Sequence, residues 1–349
     1  MTREKQKTTR EIPEIFEGVK YLDPKYEPAF RELFDDKVIL TDFLNTILHL
    51  KEGGKIDHLE FKFESEIKFR IPEKRSTTLD IFAHTEDNRF LDIEMQRAGH
   101  PFFTDRVFYY SSFLTIKGKQ QYIKSTYFKS LSKEEQLRRR YELPETISIW
   151  ICNFHPRENS TRYRDEWAVY SKSDIENLAE NSTPLPVTDK IKYILFDLPN
   201  FVKYCNRTDS REMRWLYLLA NAGGKEDMPD MDDDILNLAM GRISIDSASE
   251  SLLKTQENFM IAQDEIICRL AESKLQGIDE GHAKGFNDGR VKGFNDGRVK
   301  GFNDGKEEAC TNAITKALKR GKLTLEEIAE DNDVSIDRVL EIQKGLQES

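Results

Sequence analysis

The spacing of apolar residues changes along this chain, and each change marks an element. Between Pro24 and Leu50, Phe30, Leu33, Phe34, Val38, Phe43, Leu44 and Ile47 recur at helical spacing and predict one or two amphipathic helices. Over residues 58–70 the period falls to two. Leu59, Phe61, Phe63, Ile67 and Phe69 alternate with His58, Glu60, Lys62, Glu64, Glu66, Lys68 and Arg70, as in a half-buried strand. Residues 77–83 and 90–96 predict two further strands, joined by the turn-forming run from His84 to Arg89. Thr104-Asp105 is placed to cap a helix that runs to Lys117 and stops at Gly118. Strands are expected at 147–154, 167–170 and 193–198, mostly helix from 210 to 274, and three short helices over 306–349. The order predicts an α/β (α+β) fold, a mixed sheet with flanking helices, followed by a helical C-terminal region.

Composition narrows the picture. At roughly 150 residues per domain, a chain of 349 residues suggests two domains, or one with appendages. The division we expect is a polar segment at 1–20, a mixed-sheet domain at 21–208, a helical extension at 209–276, a glycine-rich repeat at 277–305 and a small helical module at 306–349. Cys152, Cys205, Cys268 and Cys310 lie far apart without CxxC spacing, which argues against a zinc site or a disulfide framework and for a reducing compartment. No apolar run follows the N-terminus and none is long enough to span a bilayer, so a cytoplasmic protein without membrane contact is expected. The net charge of −10 excludes a protein coated in positive potential but allows local basic patches for phosphates.

The hairpin at 77–96 carries the candidate chemistry. Period two sets Leu79, Ile81 and Ala83 on one face with Asp80 opposed; it sets Leu91, Ile93 and Met95 on one face with Asp92, Glu94 and Gln96 opposed. If the turn centres on Asp87, Asp80 stands directly across from Glu94, where like charges destabilise at Cβ separations of ~5 Å. A divalent cation converts that repulsion into coordination. Magnesium, or manganese in its place, suits two carboxylates and a backbone carbonyl such as that of Met95. Such a cation activates water and neutralises charge on phosphoryl oxygens, the needs of phosphodiester hydrolysis, and the Gln96 amide is placed to orient that water. Two alternatives stay open: a solvated hairpin with ordinary surface carboxylates, and Asp92 as a ligand on the same face.

Around this hairpin the chain is basic: Lys68, Arg70, Lys74 and Arg75 precede Asp80, Arg97 and Arg106 follow Gln96, and Lys117, Lys119, Lys124, Lys129 and Arg138-Arg139-Arg140 come later. Arg106, Lys74 and Arg97 are the candidate DNA contacts, made to the backbone without base reading. Arg106 is the foremost of these, because it falls in the first turn of a helix. Of the adjacent Tyr109 and Tyr110, at least one is expected in the core.

These pieces are familiar in combination. Ala29-Phe30-Arg31-Glu32-Leu33-Phe34, Asp42-Phe43-Leu44-Asn45-Thr46-Ile47-Leu48, Leu79-Asp80-Ile81, Ile93-Glu94-Met95-Gln96, Arg106 and Tyr109-Tyr110 stand in one order. The chain over residues 20–200 resembles the recombination-promoting nuclease (Rpn) and transposase family of the PD-(D/E)XK nuclease superfamily. The resemblance implies a restriction-endonuclease-like sheet in αβββαβ order and magnesium-dependent cleavage of DNA. It implies Asp80 as the motif aspartate and Glu94-Met95-Gln96 at the E-x-K position, with glutamine in place of lysine. It also implies a glutamate on the first helix, for which Glu27 and Glu32 are both candidates.

Lys-Gly-Phe-Asn-Asp-Gly-Arg-Val occurs at 284–291 and 292–299 and in part at 300–305, over a strict four-residue glycine spacing from Gly277 to Gly305. In water each interior glycine costs a helix ~1 kcal/mol against alanine. Either the segment is a flexible spacer, or it is a helix that associates with a second copy. Thr324 and Ser335 are good N-caps for a helix pair. Residues 306–349 carry seven basic and ten acidic residues, which favours a helical interaction module, a second route to a homo-oligomer, over a DNA reader. The leading expectation is a metal-dependent DNA endonuclease acting in recombination or transposition. The alternatives are a non-catalytic nucleic-acid-binding or assembly protein with the same fold, and a nuclease that cuts RNA.

Overall fold

The computed structural model describes residues 12–67, 77–179 and 182–347. Two helices open the fold, α1 (Glu27–Phe34) and α2 (Lys37–Ile47), followed by β1 (Leu59–Ile67), β2 (Thr77–Thr85), β3 (Phe90–Gln96) and α3 (Phe103–Tyr122). Then come α4 (Thr126–Ser130), α5 (Lys133–Arg138), β4 (Thr146–Cys152), β5 (Arg164–Trp167), α6 (Lys172–Glu176), β6 (Ile191–Asp197), α7 (Leu198–Tyr204), α8 (Arg211–Asn221) and α9 (Asp234–Arg242). The chain ends with α10 (Glu250–Arg320), α11 (Leu325–Asp331) and α12 (Ile336–Gln347). The strands form one six-stranded sheet in the order β1-β2-β3-β4-β6-β5. β3, β4 and β6 run parallel, and the remaining pairs are antiparallel. This is the mixed sheet with flanking helices that the sequence predicts.

Both faces of the sheet are covered. On one, Ile81, Ala83, Leu91, Ile93, Ile149 and Phe196 pack with Phe30, Phe43, Trp215, Leu219 and Leu236 from α1, α2, α8 and α9. On the other, α3 lays Val107, Leu114 and Tyr122 over Phe82, Phe90, Trp150 and Leu195. Burial on two faces explains why β4 reads as a continuous apolar run. Alternation slips at Leu79, which packs with Phe82 and Phe90 under α3 and not with Ile81 and Ala83.

Other expectations shift for physical reasons. The first turn of α3 starts at Phe103 with Phe102 as its N-cap, so Thr104 lies inside the helix and caps nothing. The helix continues through Gly118 because the missing side chain is needed there: a Cβ would stand 3.0 Å from Phe90 Cγ. The strand expected at 167–170 lies instead at Arg164–Trp167, pairing antiparallel with β6. It is a short edge strand rich in charge, Arg164-Asp165-Glu166, which discourages edge-to-edge pairing and hides the apolar alternation.

The chain divides into two compact units, Met1–Asp264 and Glu265–Ser349. α8 and α9 belong to the first unit and complete the core under the sheet. In the second unit the glycine repeat is helical throughout, part of α10. Its Phe286, Phe294 and Phe302 are 73%, 70% and 73% exposed, and a Cβ added at any of its glycines meets nothing within 4 Å. Ile314 at the end of α10 packs with Ile328, Ala329 and Val339 of α11 and α12. Thr324 and Glu327 form a reciprocal capping box at α11. The first of the three short helices expected over 306–349 is thus the end of α10. Arg338 of α12 is engaged by Glu307 and Glu341. Among the described residues no helix is long and apolar enough to cross a membrane.

Candidate active site

The hairpin register is the one inferred from the turn. Ile81 pairs with Ile93, Phe82 with Asp92 and Ala83 with Leu91; the next step sets Asp80 opposite Glu94. Asn88 turns the chain with φ 63°, a left-handed conformation that asparagine tolerates. At Asp80 the ladder gives way to side chains. The Asp80 N–H donates to Glu94 Oε1 at 3.0 Å, and the Met95 N–H donates to Asp80 Oδ2 at 3.0 Å. Each carboxylate is thus anchored by an amide of the opposite strand. Repulsion between the two acids is met first by peptide dipoles, so the pairing stands without a cation.

The site is not a solvated surface. Asp92 and Glu94 are completely buried, because the polar face of β3 lies under α3. Burial pushes the Glu94 carboxyl well above its ordinary range, with Asp92 and Asp80 adding to the rise. Burial likewise lifts Asp92, with Asp80 adding to it. The Asp80 carboxyl is pushed up to about 6, by burial first, against the lowering effect of the Met95 N–H; Glu27 adds to the rise, and Arg106 and Arg31 oppose it. Neither oxygen of Asp92 has a hydrogen-bond partner at normal geometry, although Glu94, Ser148 and Lys117 all lie close enough to favour its ionised form. The Gln96 side chain donates from Nε2 to Glu94 Oε2 at 3.3 Å, closing the row Asp80, Glu94, Gln96.

Backbone polarity bears on Met95. The Gln96 carbonyl is taken by the Asn153 N–H at 2.8 Å on the β4 side. The Met95 N–H points to the β2 side, and a strand residue directs its N–H and C=O the same way, so the Met95 carbonyl is directed to the β2 side as well. The donor set here is oxygen only, the chemistry that suits a hard divalent cation. Among the described residues, no three acidic, histidine or cysteine side chains already stand as a ready-made metal site, so a cation here would complete its shell with water and backbone.

A cavity of about 270 Å³ opens onto this row, lined by Asp80, Met95, Gln96, Glu27, Phe259 and Arg97 among others. The two glutamates of α1 differ in their surroundings. Glu27 lines the cavity, while Glu32 is held by Arg242 at 2.9 Å. That difference was invisible in the sequence, because it depends on where α9 lies. Arg106 is more inward than expected of a phosphate contact. Its guanidinium lies 4.8 Å from the Tyr110 ring centre, donates to the Tyr110 hydroxyl at 3.1 Å, and stands close enough to pull the Asp80 and Glu94 carboxyls down. Arg97 stacks 4.0 Å from the Tyr26 ring centre and reaches Asp264 at 3.7 Å. Lys74 lies outside the described residues, as do Lys68, Arg70 and Arg75. Tyr110 is half-buried and packs against the core, and Tyr109 lies 54% exposed against Phe113.

A family model described as PD-(D/E)XK nuclease family transposase matches residues 24–265. The chain belongs to that family. The match begins just before α1 and ends within one residue of the boundary between the two compact units. The six-stranded mixed sheet with its flanking helices is consistent with the PD-(D/E)XK fold, and membership supports a nuclease role connected with transposition. PD-(D/E)XK nucleases typically use divalent metals, and the family points to DNA as the substrate. Neither the curated proteins nor the solved structures contain a match to this chain.

Proposed function

We propose that the protein is a divalent-metal-dependent endonuclease that hydrolyses DNA phosphodiester bonds during transposition or recombination. The observation that carries this is the cross-anchored pair: Asp80 and Glu94 on facing strands, each held by an amide of the other strand, with Gln96 completing the row at the mouth of a cavity. Asp80, Glu94 and the Met95 carbonyl would hold magnesium, or manganese in its place, which when bound activates a water and offsets charge on the phosphoryl oxygens. Gln96 orients the attacking water through its amide. With lysine absent from the third position, Arg106 stands near enough to Asp80 and Glu94 to favour their charged forms, and Glu27 lines the same cavity. Asp80, with its carboxyl at about 6, is ionised at neutral pH and ready to bind a cation.

The test is cleavage of supercoiled plasmid with magnesium by the full chain and by Asp80→Asn and Glu94→Gln, each checked for folding by circular dichroism. Loss of cleavage in folded variants supports the assignment. Cleavage at the parent's rate by either variant defeats it. DNA binding without metal-dependent cutting by the parent would favour the non-catalytic alternative, and cutting of RNA in place of DNA would change the substrate.

We propose in addition that α10 associates with a second copy through the repeat. Phe286, Arg290, Phe294, Arg298 and Phe302 form a ridge of residues four apart, beside the empty groove of Gly285, Gly289, Gly293, Gly297 and Gly301. Packing of such ridges into matching grooves is the common way helices cross at about −50°. Sedimentation of a chain lacking 277–305 decides: an unchanged oligomeric state removes the proposal.

A further inference from the structure

A second cavity, of about 490 Å³, adjoins the first. Both are bordered by Glu27 and Phe259, so the depression that starts at Asp80 and Gln96 continues past Glu27 to Arg31, Glu32, Asp35 and Phe63. Its volume falls in the range of ~300–1,000 Å³ usual for small-molecule sites. The Arg31 guanidinium lies 5.1 Å from the centre of the Phe63 ring and 3.4 Å from Glu27, joining the aromatic wall to the site. Phe259 is half-buried and takes no part in the core clusters.

The lining is chemically lopsided. Three carboxylates face one guanidinium, which opposes a phosphate. The two phenyl rings offer flat apolar surface, and every base has a face that stacks on such rings. Carboxylates accept from the exocyclic amino groups of bases, as Glu and Asp accept from cytosine N4. Thymine has no such group and sets carbonyl oxygens against the acids.

We infer that this cavity takes one unpaired, amino-bearing nucleobase of the substrate strand, beside the phosphate held at Asp80. Phe63 and Phe259 supply the stacking surface, and Asp35 accepts from the amino group; Glu32 is already engaged by Arg242. The inference rests on the nuclease proposal only in taking a nucleic acid as the ligand. It makes the enzyme selective for DNA that is single-stranded, frayed or distorted at the cut, because extruding a base from an intact duplex costs a few kcal/mol.

Binding of short fluorescent oligo-dC and oligo-dT to the full-length protein in EDTA, read by anisotropy, separates this inference from cleavage. The parent is expected to prefer oligo-dC by about tenfold, and Phe259→Ala to weaken oligo-dC binding by about tenfold, the usual scale of one stacked base. Asp35→Ala is expected to remove the preference for oligo-dC. Phe259 and Asp35 lie outside the core, so these variants fold; Phe63→Ala serves as a third. The inference is overturned if the parent binds neither oligonucleotide, if Phe259→Ala binds as tightly as the parent, or if Asp35→Ala keeps the preference. Cleavage of plasmid with magnesium is measured in parallel. A parent that cuts while binding ignores Phe259 defeats the cavity alone. A parent that binds through Phe259 and Asp35 but cuts nothing defeats the nuclease proposal alone.

Discussion

α3 and α10 both carry glycine in their interiors, for opposite reasons. Gly118 of α3 lies against Phe90, where a Cβ would come within 3.0 Å of the ring. The glycines of the repeat in α10 face open space. The first glycine is required by packing: it brings α3 down onto β3, and that approach buries Asp92 and Glu94. The others satisfy no contact within the chain, and each lowers the stability of the helix that contains it. The contrast extends to polar groups. In the hairpin site, removing one partner strands another. In the repeat, a removed side chain leaves no neighbour behind. A residue type therefore says little about its role until the packing around it is known.

Four experiments press on that contrast. The largest effect is expected at the hairpin: Asp80→Ala should lower magnesium-dependent plasmid cleavage by about 10²–10³-fold, the rate equivalent of several kcal/mol of lost charge stabilisation. A variant that cuts like the parent breaks the assignment. The next follows from burial of the same carboxyl. Its folded value of about 6 lies above the ordinary 3.8, so the folded state holds its proton more tightly than the unfolded chain. In EDTA, stability should therefore fall as pH rises from about 4 through about 6, by up to about 3 kcal/mol. Glu94 and Asp92 push in the same direction. Magnesium should raise the melting temperature more above pH 6 than below it, because protons and cation compete for the same oxygens. Urea denaturation across that pH range, with and without magnesium, checks both signs; stability that rises with pH in EDTA contradicts the buried-acid account.

The third experiment compares the glycines directly. Gly118→Val should destabilise the protein by about 1–3 kcal/mol through overpacking against Phe90, measured as a lowered urea midpoint. A neutral result would mean that α3 can lift from the sheet at little cost. The smallest expected effect has the opposite sign: Gly289→Ala or Gly297→Ala should each stabilise the repeat helix by about 1 kcal/mol, seen as a helical circular-dichroism signal that persists to higher temperature. If alanine there instead lowers helix content or disperses an oligomer, the open groove is occupied by a partner.

Much of the site could be read from local rules. Strict period two placed Asp92, Glu94 and Gln96 together, and a turn centred on Asp87 set Asp80 across from Glu94; both depend only on strand geometry and on the short loop between β2 and β3. The same rules failed where long-range packing took over. They put Asp92 and Glu94 on a polar side, whereas α3 buries that side. They stopped α3 at a glycine that the sheet requires. They set β5 at 167–170 and not at Arg164–Trp167, because an edge strand that carries charge has no alternating apolar signature.

By itself the sequence determined the element order, the hairpin register and the composition of the site, since each follows from the pattern of neighbours within a few residues along the chain. The tertiary structure alone decided the chemistry of those residues. It set Glu27 at the cavity and paired Glu32 with Arg242 of α9. It turned Arg106 toward Tyr110 and the carboxylates, and it raised Asp80 to about 6 by withdrawing it from water. These outcomes depend on desolvation and on charges far away in sequence, which no local periodicity records.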